Sequence, residues 1–258
     1  RLAAAFDLAR RFEAHITALY VLTPADMPVA IEGRGASVEY IAEATAIARE
    51  KAAAMEAEFR KRCEKKKISW EWRCVAGEHL KLLAEHSFVA DLAIVSEQEP
   101  HGIDEVITMH GPDYLPLVAG CPVLVLPRAG KTDVAAKRVL VAWTPSRETL
   151  RAVRDGLPFL AQSKKIFLFA VDPRERDDDP GVGIKTFLAR HGLEVEAEIR
   201  RSRGIDRVGE AIIAAADKFG ADLIVMGAYG HSRLYELIVG GATRHVLGHM
   251  TLPVLMSH

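Results

Sequence analysis

The chain has 258 residues, with 34 basic and 35 acidic side chains and 49% hydrophobic residues. This is ordinary globular composition at a length that suits two domains, so it excludes a disordered or fibrous chain. The formal net charge of −1 and the lack of any apolar run of about 18 to 20 residues argue against a nucleic-acid or membrane partner.

The first half of the chain alternates helical and extended patterns, which is typical of parallel strands joined by helices. We predict a helix over residues 1–11, a strand over 15–21 and a long Ala- and Glu-rich helix from about Ser37 to Lys67. Further strands follow over 90–95 and 123–126. This half lacks a counterpart of the second half's first strand, which is usually central in such a sheet. We therefore expect about one strand and its turn to precede the first residue given.

A polar linker over residues 128–137 separates the halves, and five strands are predicted after it. A helix following Asp206 has apolar residues at helical spacing and ends at Gly220. A short helix near Ile184 to His191 corresponds to the long helix of the first half. The five strands are Val139–Trp143, Ile166–Val171, Leu193–Ile199, Leu223–Met226 and Val254–Met256.

The two halves repeat one another. The segment Ala90 to Val95 matches Ala221 to Met226, and the Pro-Val-Leu of residues 122–124 returns at 253–255. Both matches have the same offset of 131 residues, so the segment between them keeps its length in both halves. A repeat of this kind predicts two tandem domains of similar fold, 1–130 and 137–258.

The cysteines of this chain, Cys63, Cys74 and Cys121, form neither a CxxC pair nor a zinc-ligand pattern. An odd, unpatterned set fits a reducing compartment, and the N-terminus lacks the layout of a signal peptide, so we expect a cytoplasmic protein. Cys121 precedes an apolar strand and is expected to be buried and unreactive.

A spaced glycine pattern follows the fourth strand of the second half. Gly227 and Gly230 are separated by two residues, and nine residues later come Gly240 and Gly241. Ligands of open α/β sheets bind at the carboxyl edge of the strands, where glycines let the backbone approach phosphate closely. The spacing fits neither a Walker loop nor a Rossmann fingerprint. The pattern therefore indicates a phosphate-bearing ligand held in another way.

This pattern closely resembles that of the universal stress protein family, whose nucleotide-binding members carry Gly, two residues, Gly, nine residues, Gly and then Ser or Thr. The resemblance extends to the Ala-Asp-Leu-Ile-Val strand before the loop, the Pro-Val-Leu strand at the end and the strand-helix order of both halves. It implies an α/β fold of two tandem open parallel-sheet domains, of the adenine nucleotide alpha hydrolase type. It also implies the strand order 3-2-1-4-5 and a pseudo-two-fold relation between the halves.

Carried over residue by residue, the resemblance implies a site for ATP or another adenine nucleotide in the C-terminal half, which Mg²⁺ could accompany. Trp143 could stack on the base or simply fill the mouth of the site. The residues implied for adenine and ribose are Ala142, Trp143, Thr144 and Val171, and those implied for the phosphates are Gly227, Gly230, His231, Gly240, Gly241, Ala242 and Thr243.

Two departures from the family pattern concern the same site. Thr144 stands where ATP-binding relatives usually carry Asp, and Gly241 stands where they carry Ser or Thr. Neighbouring Thr243 could restore the lost hydroxyl. In the first half the loop glycines are replaced by Ser96, Glu99, Met109 and His110, so we do not expect a nucleotide there.

The resemblance therefore implies a stress-response protein that binds an adenine nucleotide in its C-terminal half and signals without efficient turnover, with at most a weak ATPase activity. One alternative is a nucleotide-free interaction scaffold with both sites degenerate, and another is an enzyme acting on a phosphorylated or adenylylated small molecule. By the same resemblance, strands 123–126 and 254–256 are expected to meet within one chain as a pseudo-dimer, and two chains could form a homodimer.

Three weaker patterns have ordinary explanations. His245 and His249 stand four residues apart as metal ligands on a helix could, but a zinc protease would need Glu where Val246 stands. Ser232 follows a histidine, but the GxSxG elbow of hydrolases fails at Leu234. The acidic loops over 97–110 and 177–179 are interpreted as solvated. No metal site and no catalytic residue are predicted.

Overall fold

The computed structural model of the protein describes residues 1–22, 38–97, 114–172, 179–201, 208–230 and 241–258. They form two compact units, one of Leu2–His86 and one of Ser87–His258 together with Arg1. No helix in these ranges is both long enough and apolar enough to cross a membrane.

In its described residues, the unit of residues 2–86 has two parallel strands and three helices, of which the first two share a hydrophobic core with the strands. Its elements are α1 (Leu2–Phe12), β1 (Ile16–Leu22), α2 (Val38–Lys66), β2 (Trp70–Ala76) and most of α3 (His79–Ser87). Strands β1 and β2 pair in parallel, with Ile16 opposite Trp70 and Leu22 opposite Ala76. Phe6 and Phe59 stack with ring centroids 6.0 Å apart in the core of this unit. The long helix predicted from the Ala- and Glu-rich stretch is confirmed in α2.

The described residues of the second unit form a seven-stranded sheet in the order β3-β4-β9-β8-β5-β6-β7. Its strands are β3 (Ala93–Ser96), β4 (Val123–Leu126), β5 (Arg138–Trp143), β6 (Lys165–Asp172), β7 (Val195–Arg201), β8 (Leu223–Gly227) and β9 (Val254–Ser257). Its helices are α4 (Leu115–Val118), α5 (Arg147–Leu160), α6 (Val182–Arg190), α7 (Val208–Phe219) and α8 (Gly241–His249).

Within the C-terminal half the strands lie in the order β7-β6-β5-β8-β9, which is third, second, first, fourth and fifth along the chain. All of these pairs are parallel. Strands β4 and β9 are buried along their whole length, as expected for apolar runs covered on both faces. Gly156 lets α5 pack closely on the sheet, since a Cβ atom there would lie 3.3 Å from Val225.

In the part of the sheet that the structure describes, one antiparallel pair of strands joins the two halves of the repeat. Strand β4 of the first half runs against β9 of the second, with Leu124 opposite Leu255 and Val123 opposite Met256. The expectation that these two strands meet within one chain is confirmed. Because this pairing brings β3 and β4 into the sheet of the second half, the compact units divide between residues 86 and 87 and not at the linker that separates the repeats.

Candidate functional site

The carboxyl ends of β5 and β8 meet at one edge of the sheet. The two strands are adjacent and parallel, with Ala142 opposite Met226, so Trp143 and Gly227 both lie at this edge. Strand β5 connects through α5 to β6 on one side, whereas β8 lies on its other side. The strand order therefore reverses between β5 and β8, which is where open α/β sheets place their ligands.

Helix α5 begins directly at this edge. Its N-cap is Ser146, whose Oγ atom accepts a hydrogen bond from the backbone NH of Thr149 at 3.3 Å. A Cβ atom on Gly227 would lie 2.6 Å from that same nitrogen and 2.8 Å from the carbonyl carbon of Glu148. The first glycine of the loop is thus required for the loop to pass the start of α5.

The second glycine of the loop lies beside a carboxylate. A Cβ atom on Gly230 would lie 3.3 Å from Oε2 of Glu148 and 3.5 Å from Oγ of Ser146. Both contacts are to ends of side chains and not to backbone, so Gly230 is less tightly enclosed than Gly227. The site therefore contains an acidic group that the family resemblance does not imply.

The charge of this carboxylate is set by its neighbours. Burial pushes the pKa of Glu148 upward, but hydrogen bonds from its own backbone NH and from the Ser146 hydroxyl, together with the charges of Arg147 and His258, outweigh burial. The net result is a pKa below the ordinary value, so Glu148 is ionised at neutral pH. Arg147 lies 3.4 Å away but is 80% exposed, and its charge is screened by water.

Ala228 and Tyr229, which lie between Gly227 and Gly230, make three contacts with other parts of the second unit. The Ala228 NH donates to the carbonyl of Ser257 at 2.8 Å. Tyr229 has a φ of +53°, which is unusual for a residue with a side chain, and its ring stacks on Tyr114 with centroids 5.9 Å apart. The Tyr229 NH donates to Oγ1 of Thr243 at 3.3 Å. These contacts connect Ala228 and Tyr229 to β9, to Tyr114 and to α8.

Thr243 is only 4% exposed, and its oxygen holds the loop backbone. Gly241, the first residue of α8, is exposed, and a Cβ atom there would meet nothing within 4 Å. Ala242 beside it is half-buried. Of the phosphate-binding residues implied by the resemblance, His231 and Gly240 lie outside the described ranges.

The residues implied for adenine and ribose differ in exposure. Trp143 is 8% exposed, and its indole NH donates to the carbonyl of Pro180 at 2.9 Å. Ala142 is also buried, whereas Thr144 and Val171 are half-exposed. The ring of Trp143 therefore already has a packed position and a hydrogen-bond partner.

The candidate site predicted from the sequence included no residue of the α5 N-terminus. Ser146, Glu148 and Thr149 all contact the glycine loop, although none belongs to the implied nucleotide set. A signal for part of this was present, because Ser shortly after a strand, with an acidic residue in the turn that follows, is a helix N-terminus pattern. The approach of Glu148 to Gly230 could not be read from spacing.

The weaker candidate metal ligands noted in the sequence make ordinary contacts where the structure describes them. His245 and His249 stack with centroids 4.1 Å apart, and Nδ1 of His249 lies 2.9 Å from the carbonyl oxygen of His245. In the first half, the Glu97 carboxylate accepts a hydrogen bond from the backbone NH of Arg128 at 3.2 Å. Across the described ranges, no three His, Cys, Asp or Glu side chains cluster as a metal site. Glu99, Met109 and His110 lie outside those ranges.

Residues 2–127 and 135–258 each match the model of one family, described as the universal stress protein family. The chain belongs to the universal stress protein family. Two successive matches also confirm the tandem arrangement that the repeat predicts. A universal stress protein of Synechocystis sp. (strain ATCC 27184 / PCC 6803 / Kazusa) is 31% identical over 143 residues, which is 52% of this chain and 46% of that protein. The match therefore spans about half of that relative's length.

Solved structures support the same fold. A universal stress protein from Archaeoglobus fulgidus DSM 4304 has a TM-score of 0.78 at 17% identity, over 99% of this chain and 90% of that chain. A protein of unknown function from Pseudomonas aeruginosa PAO1 has a TM-score of 0.64 at 15% identity, over 99% and 86% of the two chains. The predicted α/β fold of universal stress proteins is thus confirmed over nearly the whole chain.

Proposed function

We propose that the C-terminal half binds an adenine nucleotide, ATP or AMP, and that occupancy of this site conveys a stress signal. The observation that carries the proposal is the position of Gly227 and Gly230, which follow β8 where the strand order reverses and lie against the start of α5. Membership of the universal stress protein family supports it, since the glycine spacing is that of the family's nucleotide-binding members.

The phosphate end of the ligand would lie along the loop and the first turn of α8. Among the described residues, a side chain at Gly241 would meet no atom within 4 Å, so none of them fills the space beside this helix terminus. The first amides of a helix have no partner within the helix and carry partial positive charge. Together with the exposed backbone of Gly230, they favour an anionic group and need no lysine.

The adenine and ribose would lie at the ends of β5 and β6. Thr144 and Val171 are half-exposed there and available to a ligand, whereas Trp143 is packed and bonded to Pro180. In this proposal Trp143 shapes the wall of the site without giving up its indole hydrogen bond. Such a site is apolar on one side and polar on the other, as nucleotide sites commonly are.

We propose binding without efficient turnover. The loop over residues 227–243 contains no lysine and has Arg233 as its permanently charged cation, and Thr144 takes the place of the usual Asp. Efficient phosphoryl transfer requires cationic groups or metal ions placed against the transferred phosphate. The proposal does not extend to Mg²⁺, for which the described residues offer no cluster of ligands.

A second candidate function is a nucleotide-free scaffold that acts through contacts with other proteins. The observation that favours it is the ionised carboxylate of Glu148 beside Gly230, because a phosphate placed there would be repelled. On this alternative, Gly227 serves only to let the loop pass α5. The two candidates differ in one measurable property, which is affinity for adenine nucleotides.

Purification without added nucleotide, followed by denaturation and identification of any released small molecule, tests the proposal directly. Calorimetric titration of the emptied protein with ATP and with AMP then gives the affinity. Gly230→Asp should abolish binding, since it adds a second carboxylate beside Glu148. Gly183→Asp is the matched control, because Gly183 is exposed on α6 and a Cβ atom there meets nothing within 4 Å.

Binding that is lost in Gly230→Asp and kept in Gly183→Asp would support the nucleotide site. The scaffold would be favoured instead if no nucleotide is released and wild-type protein gives no heat with submillimolar ATP or AMP. Phosphate release from ATP that exceeds that of Gly230→Asp would contradict binding without turnover.

A further inference from the structure

Glu148 is the charged side chain that comes closest to the second loop glycine among the residues described. Its Oε2 atom is 3.3 Å from the position of a Cβ atom on Gly230, and its side chain is 12% exposed. The Oγ atom of Ser146 is next, at 3.5 Å from the same position. A phosphate group lying on Gly230 would therefore touch the carboxylate or displace it.

The surroundings of this carboxylate favour its charged form. Burial raises the pKa of Glu148, but the nearby backbone NH of Glu148 and the Ser146 hydroxyl lower it below the ordinary value. Glu148 also lies in the first turn of α5, where the helix dipole favours a negative charge. The side chain is thus charged and mostly buried beside Gly230, so an incoming ligand would meet a carboxylate there.

The positive charges that act on Glu148 do not remove its repulsion for an anion. Arg147 is 80% exposed, so water screens it from the carboxylate. His258 has Nδ1 at 2.9 Å from the carbonyl oxygen of Ala228, so it is engaged with the loop backbone. Repulsion between Glu148 and a ligand grows with the charge of the phosphate chain that reaches Gly230.

We propose that Glu148 determines the specificity of this site, by weakening the binding of a triphosphate chain more than that of a monophosphate. The inference rests on the proposed nucleotide function and adds to it the class of ligand preferred, which is an adenosine monophosphate over uncomplexed ATP. Glu148 acts here by repelling one ligand more than another, which is a common way to obtain specificity.

The test compares ATP and AMP affinities of the wild-type protein and Glu148→Gln by calorimetry. EDTA is present so that both nucleotides are free anions. Gln keeps the size of the side chain and removes its charge. We expect ATP affinity to rise about tenfold in Glu148→Gln and AMP affinity to rise less, so that the ratio of the two changes in favour of ATP. Added salt should reduce the gain in ATP affinity that Glu148→Gln brings, since salt screens the repulsion between Glu148 and ATP.

Glu210→Gln is the matched control, because Glu210 is an exposed acidic residue in the first turn of α7 in the same half. It should leave both affinities and their ratio unchanged. A purely structural role of Glu148 would lower the thermal stability of Glu148→Gln and leave the affinity ratio as in wild type, which would overturn the inference while nucleotide binding stands. If no variant binds either nucleotide, the proposed function fails and this inference fails with it.

Discussion

Leu124 and Leu255 lie opposite each other where the two halves of the repeat join, and both are completely buried. They occupy the middle of the antiparallel pair of β4 and β9, the one pair in the described sheet that is not parallel. Because both side chains are buried, strand β4 of the first half forms part of the hydrophobic core of the second half.

Leu124→Ala should therefore destabilise the larger unit by about 2 to 5 kcal/mol, because it removes buried methyl groups and leaves a cavity. The free energy of unfolding from urea titration, followed by circular dichroism, measures the change. Val118→Ala is the control, since Val118 is 44% exposed on α4. This substitution should lower the free energy of unfolding by less than about 0.5 kcal/mol. Equal losses in the two variants would show that the junction carries no special stability.

The glycines of the loop should differ in their tolerance of a methyl group. Gly227→Ala should lower stability by about 1 to 3 kcal/mol, because the added Cβ would lie 2.6 Å from the backbone nitrogen of Thr149. Gly241→Ala should be neutral or stabilise by up to about 1 kcal/mol, since its surroundings are open and Ala favours the helix. Thermal unfolding of the two variants beside wild type decides between these outcomes.

Ser146→Ala should lower stability by about 0.5 to 2 kcal/mol, because Ser146 caps α5 through the NH of Thr149. Ser146→Asn retains a capping oxygen and should restore most of the loss. Urea titration of both variants measures this. A loss in Ser146→Asn as large as in Ser146→Ala would show that the cap is not the cause.

The cysteines should react with iodoacetamide in an order set by burial. Cys74 is exposed and should be modified first, whereas Cys63 and Cys121 are buried. Burial also raises the pKa of Cys121 to about 11, so little of the reactive thiolate forms at neutral pH. Mass spectrometry of peptides after timed alkylation gives the order, and Cys74→Ser should remove the fast phase alone. Early labelling of Cys121 would contradict the buried position.

The same thiol should make stability depend on pH in the alkaline range. In the unfolded chain Cys121 loses its proton near the ordinary value of 9.0, while in the folded protein it keeps the proton up to about 11. The unfolded state therefore binds fewer protons in this window, and the free energy of unfolding falls as pH rises through it. The free energy of unfolding of Cys121→Ala should fall less than that of wild type between about pH 9 and about pH 11, when both are measured by urea titration. Parallel curves would contradict a raised pKa.

Most of the secondary structure could be predicted from the sequence, because the apolar runs of the second half mark buried strands directly. Strand β5 was predicted over Val139–Trp143 and spans Arg138–Trp143, and β8 was predicted over Leu223–Met226 and extends to Gly227. Strand β7 begins at Val195, two residues after the predicted start at Leu193. Its alternating charged residues give a weaker signal at the sheet edge than a continuous apolar run does.

The candidate site could be predicted only in part. The glycine spacing identified the loop, since glycine marks places where the backbone must pass closely, and Gly227 shows such an approach. The hydroxyl of Thr243, considered as a substitute phosphate donor, is buried and accepts a hydrogen bond from Tyr229. The direction in which the Thr243 hydroxyl points depends on how α8 packs beside the loop. No local sequence pattern encodes that packing.

Hydrophobic periodicity and the spacing of glycines are properties of neighbouring residues, so the sequence by itself determined the order of strands and helices, the repeat and the position of the loop. The tertiary structure decided which distant groups share the site. The parallel pairing of β5 with β8 brings the first turn of α5, with Glu148, against Gly230. That contact joins segments far apart in the chain, and it exists only because the folded sheet places their strand ends side by side.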